Sequence, residues 1–181
     1  PTQIKRCVEA IGHRINAHEE ALNARIREDE AAPEGTRVLA ASLDGVNVLL
    51  NEAGAKRGRP AERPQGGGEH TPQTAYRNAM VGSISFYSAI PEGQKSPQRL
   101  ACRYTSHMPE EHAPTFKAKF EAELDAAERL VPADTLKVLV CDGARSIWTY
   151  LQQTERFADY EKIIDYWHTL EHLSLAAEAL F

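Results

Sequence analysis

The chain has too few cysteines, too little positive charge and apolar runs too short for several large classes of protein. Three cysteines, Cys7, Cys102 and Cys141, are scattered over 181 residues. That is neither a disulfide framework nor a zinc ribbon, and it fits a reducing cytoplasm. No run approaches the roughly 18 apolar residues that a membrane span needs, so no membrane partner is expected, and no signal-peptide pattern is read in the chain. Lys and Arg total 21 against 26 Asp and Glu, a net charge of −5. A protein that coats DNA by basic excess is therefore not the expectation. An enzyme that acts on nucleic acid through metal ions stays open, because its site requires acidic residues. Phosphate-binding and nucleophile-elbow motifs are missing too: there is no P-loop, no Gly-x-Gly-x-x-Gly and no Gly-x-Ser-x-Gly. Nucleotide kinases, Rossmann oxidoreductases and serine hydrolases lose their main support. The run Gly66-Gly67-Gly68 has no strand before it and no helix after it, which makes it a loop.

What is present is a globular composition, 42% hydrophobic and 26% charged, sized for one domain with room for an appendage. Pro1 without a Met, and Ser174 to Phe181 running apolar and helix-prone with no stop signal, read as the cut ends of an excerpt.

Residues 3 to about 30 carry a helical stripe: Ile4, Val8, Ile11, Ile15, Leu22 and Ile26, with His18 in the seam. The spacing predicts one long helix, closed by Pro33 and Gly35, which packs on its own domain, joins an upstream one or pairs with a second copy. Residues 1–32 are thus a linker or dimerisation helix, and 37–181 the domain. Arg37 to Leu43 reads as a strand, Asp44-Gly45 as a turn, and Val46 to Leu50 as the hairpin partner. Residues 54–74 form a long loop in which Lys56, Arg57, Arg59 and Arg63 outnumber Glu62 and Glu69; a phosphate-touching role competes there with a solvated loop. Strands are expected at Ala79 to Ala89 and Arg99 to Ser106, then a helix after Glu110 with Phe116, Phe120, Leu124, Ala127 and Val131 on one face. A doubly buried strand, Leu136 to Cys141, follows. The remainder reads as a short helix from Ala144, a strand from Glu161 to Tyr166, and a helix from His168 to Phe181. An antiparallel meander followed by alternating α and β units implies an α/β fold, a mixed sheet with helices on its faces.

Two aspartates are singled out by position. Asp44 and Asp142 each precede a Gly at the predicted end of a strand, and functional groups in open α/β sheets gather beyond the strands' carboxyl ends. If the two strands are neighbours, the carboxylates meet, and a hard cation, Mg²⁺ or Mn²⁺, would relieve their repulsion. Such a site activates an attacking hydroxyl or water in phosphodiester displacement. Asp-Gly also marks ordinary turns. The segment from Asp165 to Leu173 holds His168 and His172 four apart on one helix face, a spacing that a zinc site can use. Glu171 stands where the His-Glu-x-x-His order does not want it, so a zinc protease is not expected. Asp165 is placed to orient an imidazole or cap a helix.

Four segments together resemble a known family: Ser42-Leu43-Asp44-Gly45, Arg77 to Gly82, Cys141-Asp142-Gly143-Ala144-Arg145-Ser146-Ile147-Trp148, and Asp165 to Leu173. In order and spacing, from about residue 37 to 181, they are similar to bacterial insertion-sequence transposases of the DDE group, in the branch related to Mutator-type and Kra-type elements. The resemblance implies an RNase H-like core and Mg²⁺-dependent (or Mn²⁺-dependent) cleavage and strand transfer at transposon ends. DNA would be the partner and a nucleoid-associated place in the bacterial cytoplasm the location. Asp44 and Asp142 would be the first two catalytic acids and metal ligands. Asp165 and His168 would match the family's Asp/Cys-x-x-His pair, His168 acting beside the catalytic pair and His172 as an auxiliary. The third acid is expected beyond Phe181, with Glu52 and Glu178 the nearest candidates inside the chain. On that expectation this stretch folds the core strands, binds metal weakly and cleaves DNA poorly. The alternative is a non-catalytic, transposase-derived interaction module that forms a homo-oligomer through the helix at residues 1–32.

Overall fold

The computed structural model describes residues 2–49 and 76–180; the basic residues Lys56, Arg57, Arg59 and Arg63 lie outside them, as does Glu52. The chain divides into two compact units, residues 1–32 and 33–181.

In the first unit the apolar stripe forms two helices rather than one, α1 (Thr2–Ala17) and α2 (Glu19–Arg27). The break is at His18, whose backbone leaves the helical region at φ −123° and ψ 15°. Its amide bonds to the Ile15 carbonyl at 3.0 Å, a tightened last turn, and no side chain caps α2. Ile4, Val8, Ile11, Ile15 and Ile26 remain more than half exposed.

The second unit is a five-stranded mixed sheet in the order β3-β2-β1-β4-β5, with β1 Thr36–Leu49, β2 Tyr76–Ser88, β3 Arg99–His107, β4 Leu136–Cys141 and β5 Glu161–Ile164. The first three strands are antiparallel neighbours, while β4 joins β1, and β5 joins β4, in parallel. The expected hairpin at Asp44-Gly45 is not formed: β1 runs through it. The 13-residue β2 pairs with β1 along its length, Asp44 opposite Val81 and Gly45 opposite Met80, so the backbone there has ladder partners and no reason to turn. Gly45 serves close approach instead, since a Cβ at that position would lie 2.5 Å from the Asn78 side chain. β5 is shorter than expected, and α5 (Tyr166–Leu180) starts two residues earlier. Asp165 decides this by accepting the Trp167 and His168 amides on Oδ1 at 2.7 and 3.2 Å, an N-cap arrangement.

Strand alternation sorts β1 into two faces. Leu39, Ala41 and Leu43 are buried on one, and with Ile84, Phe86 and Leu139 they meet the helix α3 (Pro114–Glu128) through Phe116, Phe120 and Leu124. Each such side chain contributes about 1.5–3 kcal/mol through burial. The helix α4 (Arg145–Gln153) lies beside α3 on the same face. Tyr150 donates to Glu121 at 2.5 Å, and Lys117 sits 4.8 Å from the Tyr150 ring. Arg156, in the 3₁₀ turn Glu155–Phe157, reaches Asp125 at 2.5 Å and Glu128 at 3.2 Å, and Tyr160 donates to Glu128. Burial, then the hydrogen bonds to Glu121 and Glu128, push the Tyr150 and Tyr160 hydroxyls above the ordinary phenol range.

The tightest point of the core is Gly82. A Cβ there would lie 2.6 Å from Cδ2 of the fully buried Phe120 and 3.2 Å from Thr105. We expect Gly82→Ala to lower stability by about 1–3 kcal/mol through overpacking, read as a lower urea midpoint with unchanged slope; a midpoint equal to that of the parent chain would show that α3 can shift freely.

Candidate functional site

Asp44 and Asp142, distant in the chain, lie on or beside strands that are neighbours in the sheet. β1 and β4 pair as Val38↔Leu136 through Ala41↔Leu139, where the ladder stops; extended past it, the same register would align Leu43 with Cys141 and Asp44 with Asp142. Electrostatics shows the same neighbourhood. Burial first, then the charges of Asp142 and Asp44, push the Cys141 thiol up to about 11, against a lowering contribution from the Leu43 backbone. One buried thiol therefore feels both carboxylates. By alternation Asp44 stands on the sheet face opposite Leu43; it is exposed and Asp142 half-buried.

Each aspartate is oriented by the backbone that follows it. Asp44 accepts the Gly45 amide on Oδ1 at 2.7 Å, and Asp142 accepts the Ala144 amide on Oδ1 at 2.9 Å. The Asp142 carbonyl also accepts the Trp148 indole N–H at 2.5 Å, which ties α4 to the end of β4. The chain leaves the strand at Gly143, and the extended Ala144 then opens the helix.

Asp165 belongs to the same edge. β5 follows β4 in parallel to Cys141↔Ile164, and the Asp165 amide donates to the Cys141 carbonyl at 2.8 Å. β4 and β5 thus end side by side, each followed by an aspartate, while Asp44 lies within β1, which continues to Leu49. The sequence left Asp165 with two possible roles, and its carboxylate caps α5: it holds the amide of His168, not its imidazole. His168 and His172 lie along α5 with ring centroids 6.2 Å apart, both exposed. Glu178 is exposed further along the same helix.

The donor set suits a hard divalent cation. Two carboxylates in register supply anionic oxygens, and Mg²⁺ commonly takes one or two such ligands and keeps several waters. Among the described residues no group of three or more His, Cys, Asp and Glu is placed to hold a metal, so Asp44 and Asp142 would act as a pair with water completing the shell. Among the described residues, too, no helix is long and apolar enough to cross a membrane.

Sequence reasoning missed a second feature, a cavity of about 690 Å³ on the α3 face, lined in part by Leu43, Phe116, Lys117, Arg145 and Tyr150. Periodicity marks Phe116 as core but says nothing of a gap between helix ends. The one local signal is Pro114, which disfavours helical geometry at the residue before it; His112 and Ala113 both take positive φ, 60° and 52°.

Comparison with protein-family models, with curated proteins and with solved structures finds no match to this chain.

The electrostatic neighbourhood is directly measurable. In a Cys7→Ser, Cys102→Ser background, Asp44→Asn should lower the Cys141 pKa below about 11, followed by thiolate ultraviolet absorbance. An unshifted titration would place the Asp44 carboxylate away from Cys141 and Asp142.

Proposed function

We propose that this chain is the catalytic-core portion of a DDE-type DNA transposase with an RNase H-like sheet, acting on DNA by metal-dependent phosphodiester cleavage and strand transfer. The observation that carries the reading is the parallel register of β1 and β4, Val38↔Leu136 through Ala41↔Leu139, which extended by three residues aligns Asp44 with Asp142. The sheet order supports it: three antiparallel strands followed by two parallel ones, with the first strand central, is the arrangement expected of an RNase H-like core. The four sequence segments that resemble insertion-sequence transposases add to it, because three of them contain this edge: Asp44, Asp142 and Asp165.

In this reading Asp44 and Asp142 hold Mg²⁺ or Mn²⁺, and the ion would supply activation of an attacking hydroxyl and stabilisation of the leaving oxygen. The chain's own part is positional. The Gly45 and Ala144 amides fix the two carboxylates by one oxygen each, and the second oxygen of each would serve the ion. The Trp148 hydrogen bond keeps α4 from drifting off that edge. His168, on the first turn of α5 after the Asp165 cap, is offered to the DNA from the neighbouring strand end, with His172 one turn further on. The residues Lys56, Arg57, Arg59 and Arg63 would add phosphate contacts, and the protein would work on the bacterial chromosome.

The expected result is Mn²⁺-stimulated nicking of supercoiled plasmid that falls at least about a hundredfold in Asp44→Asn and in Asp142→Asn, together with loss of Mn²⁺ binding read by electron paramagnetic resonance. Equal binding and equal nicking in the variants would remove the catalytic reading.

A second reading rests on a separate observation: the exposed apolar stripe of α1 and α2, with Ile4 72% and Ile26 70% accessible. Such a stripe suits a transposase-derived module that pairs with its own copy. Deleting residues 1–32 should convert an oligomer to a monomer by light scattering; a monomer before and after would end it.

A further inference from the structure

The cavity on the α3 face, across the sheet from Asp44, has the chemistry of a nucleotide site. Its volume, about 690 Å³, falls within the roughly 300–1,000 Å³ of small-molecule sites. Its floor is apolar and buried: Leu43 is 2% exposed, Phe116 1% and Ile147 5%, with Met80 completing it. Its wall is aromatic and held in place, because Tyr150 is anchored through its hydroxyl to Glu121 at 2.5 Å.

The charge at the mouth is positive. Lys117 and Arg145 both line the cavity, and neither forms a carboxylate ion pair among the described residues. Lys117 keeps its ammonium 4.8 Å from the Tyr150 ring centroid, which fixes a cation beside an aromatic face. The one acidic lining residue, Glu110, is already engaged: its Oε1 accepts the Phe116 amide at 3.0 Å, and its Oε2 lies 3.9 Å from His107. The hydroxyls of Ser146 and Thr149 add neutral donors. An apolar recess with one tyrosine in its wall and two cations not paired with carboxylates complements a flat ring joined to a phosphate.

The recess is also close to the carboxylate edge along the chain. Leu43 precedes Asp44, and Arg145 follows Asp142 by three residues, so the cavity lies beside the end of β4 and the middle of β1 but opens on the other face. We propose that this cavity receives one unstacked nucleotide of a DNA strand whose backbone crosses the sheet edge at Asp44 and Asp142, the base on Leu43, Phe116 and Ile147 and the phosphate at Lys117 and Arg145. This deepens the transposase reading and rests on it for the identity of the strand; the nucleotide chemistry of the cavity does not.

The two tryptophans allow the test in the whole chain. Trp148 lies between the lining residues Ile147 and Thr149, while Trp167 is exposed on α5. Deoxyadenosine monophosphate should shift the Trp148 indole resonance and leave Trp167 in place, and inorganic phosphate or the nucleoside alone should act more weakly. A 5′-phosphorylated single-stranded tetranucleotide should bind more tightly than the mononucleotide. Lys117→Ala and Arg145→Ala, both at the cavity mouth, should each weaken binding about tenfold, whereas Asp44→Asn should leave mononucleotide binding intact. Inorganic phosphate matching the nucleotide, parental affinity in Arg145→Ala, or a tetranucleotide no tighter than the mononucleotide would overturn the proposal. Since this readout needs neither metal nor cleavage, a failed cavity and a failed catalytic pair give different results.

Discussion

The parallel ladder between β1 and β4 is the constraint on which the rest of the second unit depends. It pairs only four residues on each strand, Val38 to Ala41 with Leu136 to Leu139, yet it sets the position of everything after Cys141. A slip of one residue would turn the apolar set of β4 to the wrong face and move Asp142 away from Asp44. Burial opposes the slip. Leu39, Ala41, Leu139 and Cys141 are all at 2% exposure or less on the face that meets α3, and each would lose its contact together with the others.

That face is itself held by polar anchors at its far side. The acidic residues of α3 bind structure: Glu121 accepts from Tyr150, and Asp125 and Glu128 accept from Arg156. Lys137 of β4 adds a 3.5 Å pair to Glu128. Part of the acidic excess of the chain is thereby consumed in joining α3 to the segment that leads into β5. Asp44, Asp142 and Asp165 instead accept from backbone amides. This division of labour separates the structural acids from the candidate metal ligands, although composition counts them alike.

The two faces of the sheet carry different chemistry within a few residues of one another. Asp44 and its register neighbours make an anionic edge suited to a hard cation, and the recess behind Leu43 is apolar with a cationic mouth. In the proposed function a strand of nucleic acid would supply both complements, phosphates that tolerate a bridging metal and bases that stack on aromatic walls. The alternation of β1 produces this arrangement, because adjacent residues on one strand must point to opposite faces.

The chain's pattern by itself determined the α/β class and most of the element order, because these rest on local period and turn chemistry; the expected burial of β4 on both faces is not met, since Leu136 is 50% exposed and Val140 only half-buried at this short strand. The pattern misread Asp44-Gly45 as a turn, since a dipeptide carries no information about the long β2 that would later pair across it. It drew one helix through His18, where the stripe continues but the backbone does not, and it left the role of Asp165 open between imidazole and helix cap. Only the tertiary structure decided that β4 pairs in parallel with β1, that Asp165 caps α5, and that a cavity opens between the ends of α3 and α4. Those facts depend on register and on how side chains from distant segments fill or fail to fill shared space, which no local pattern encodes.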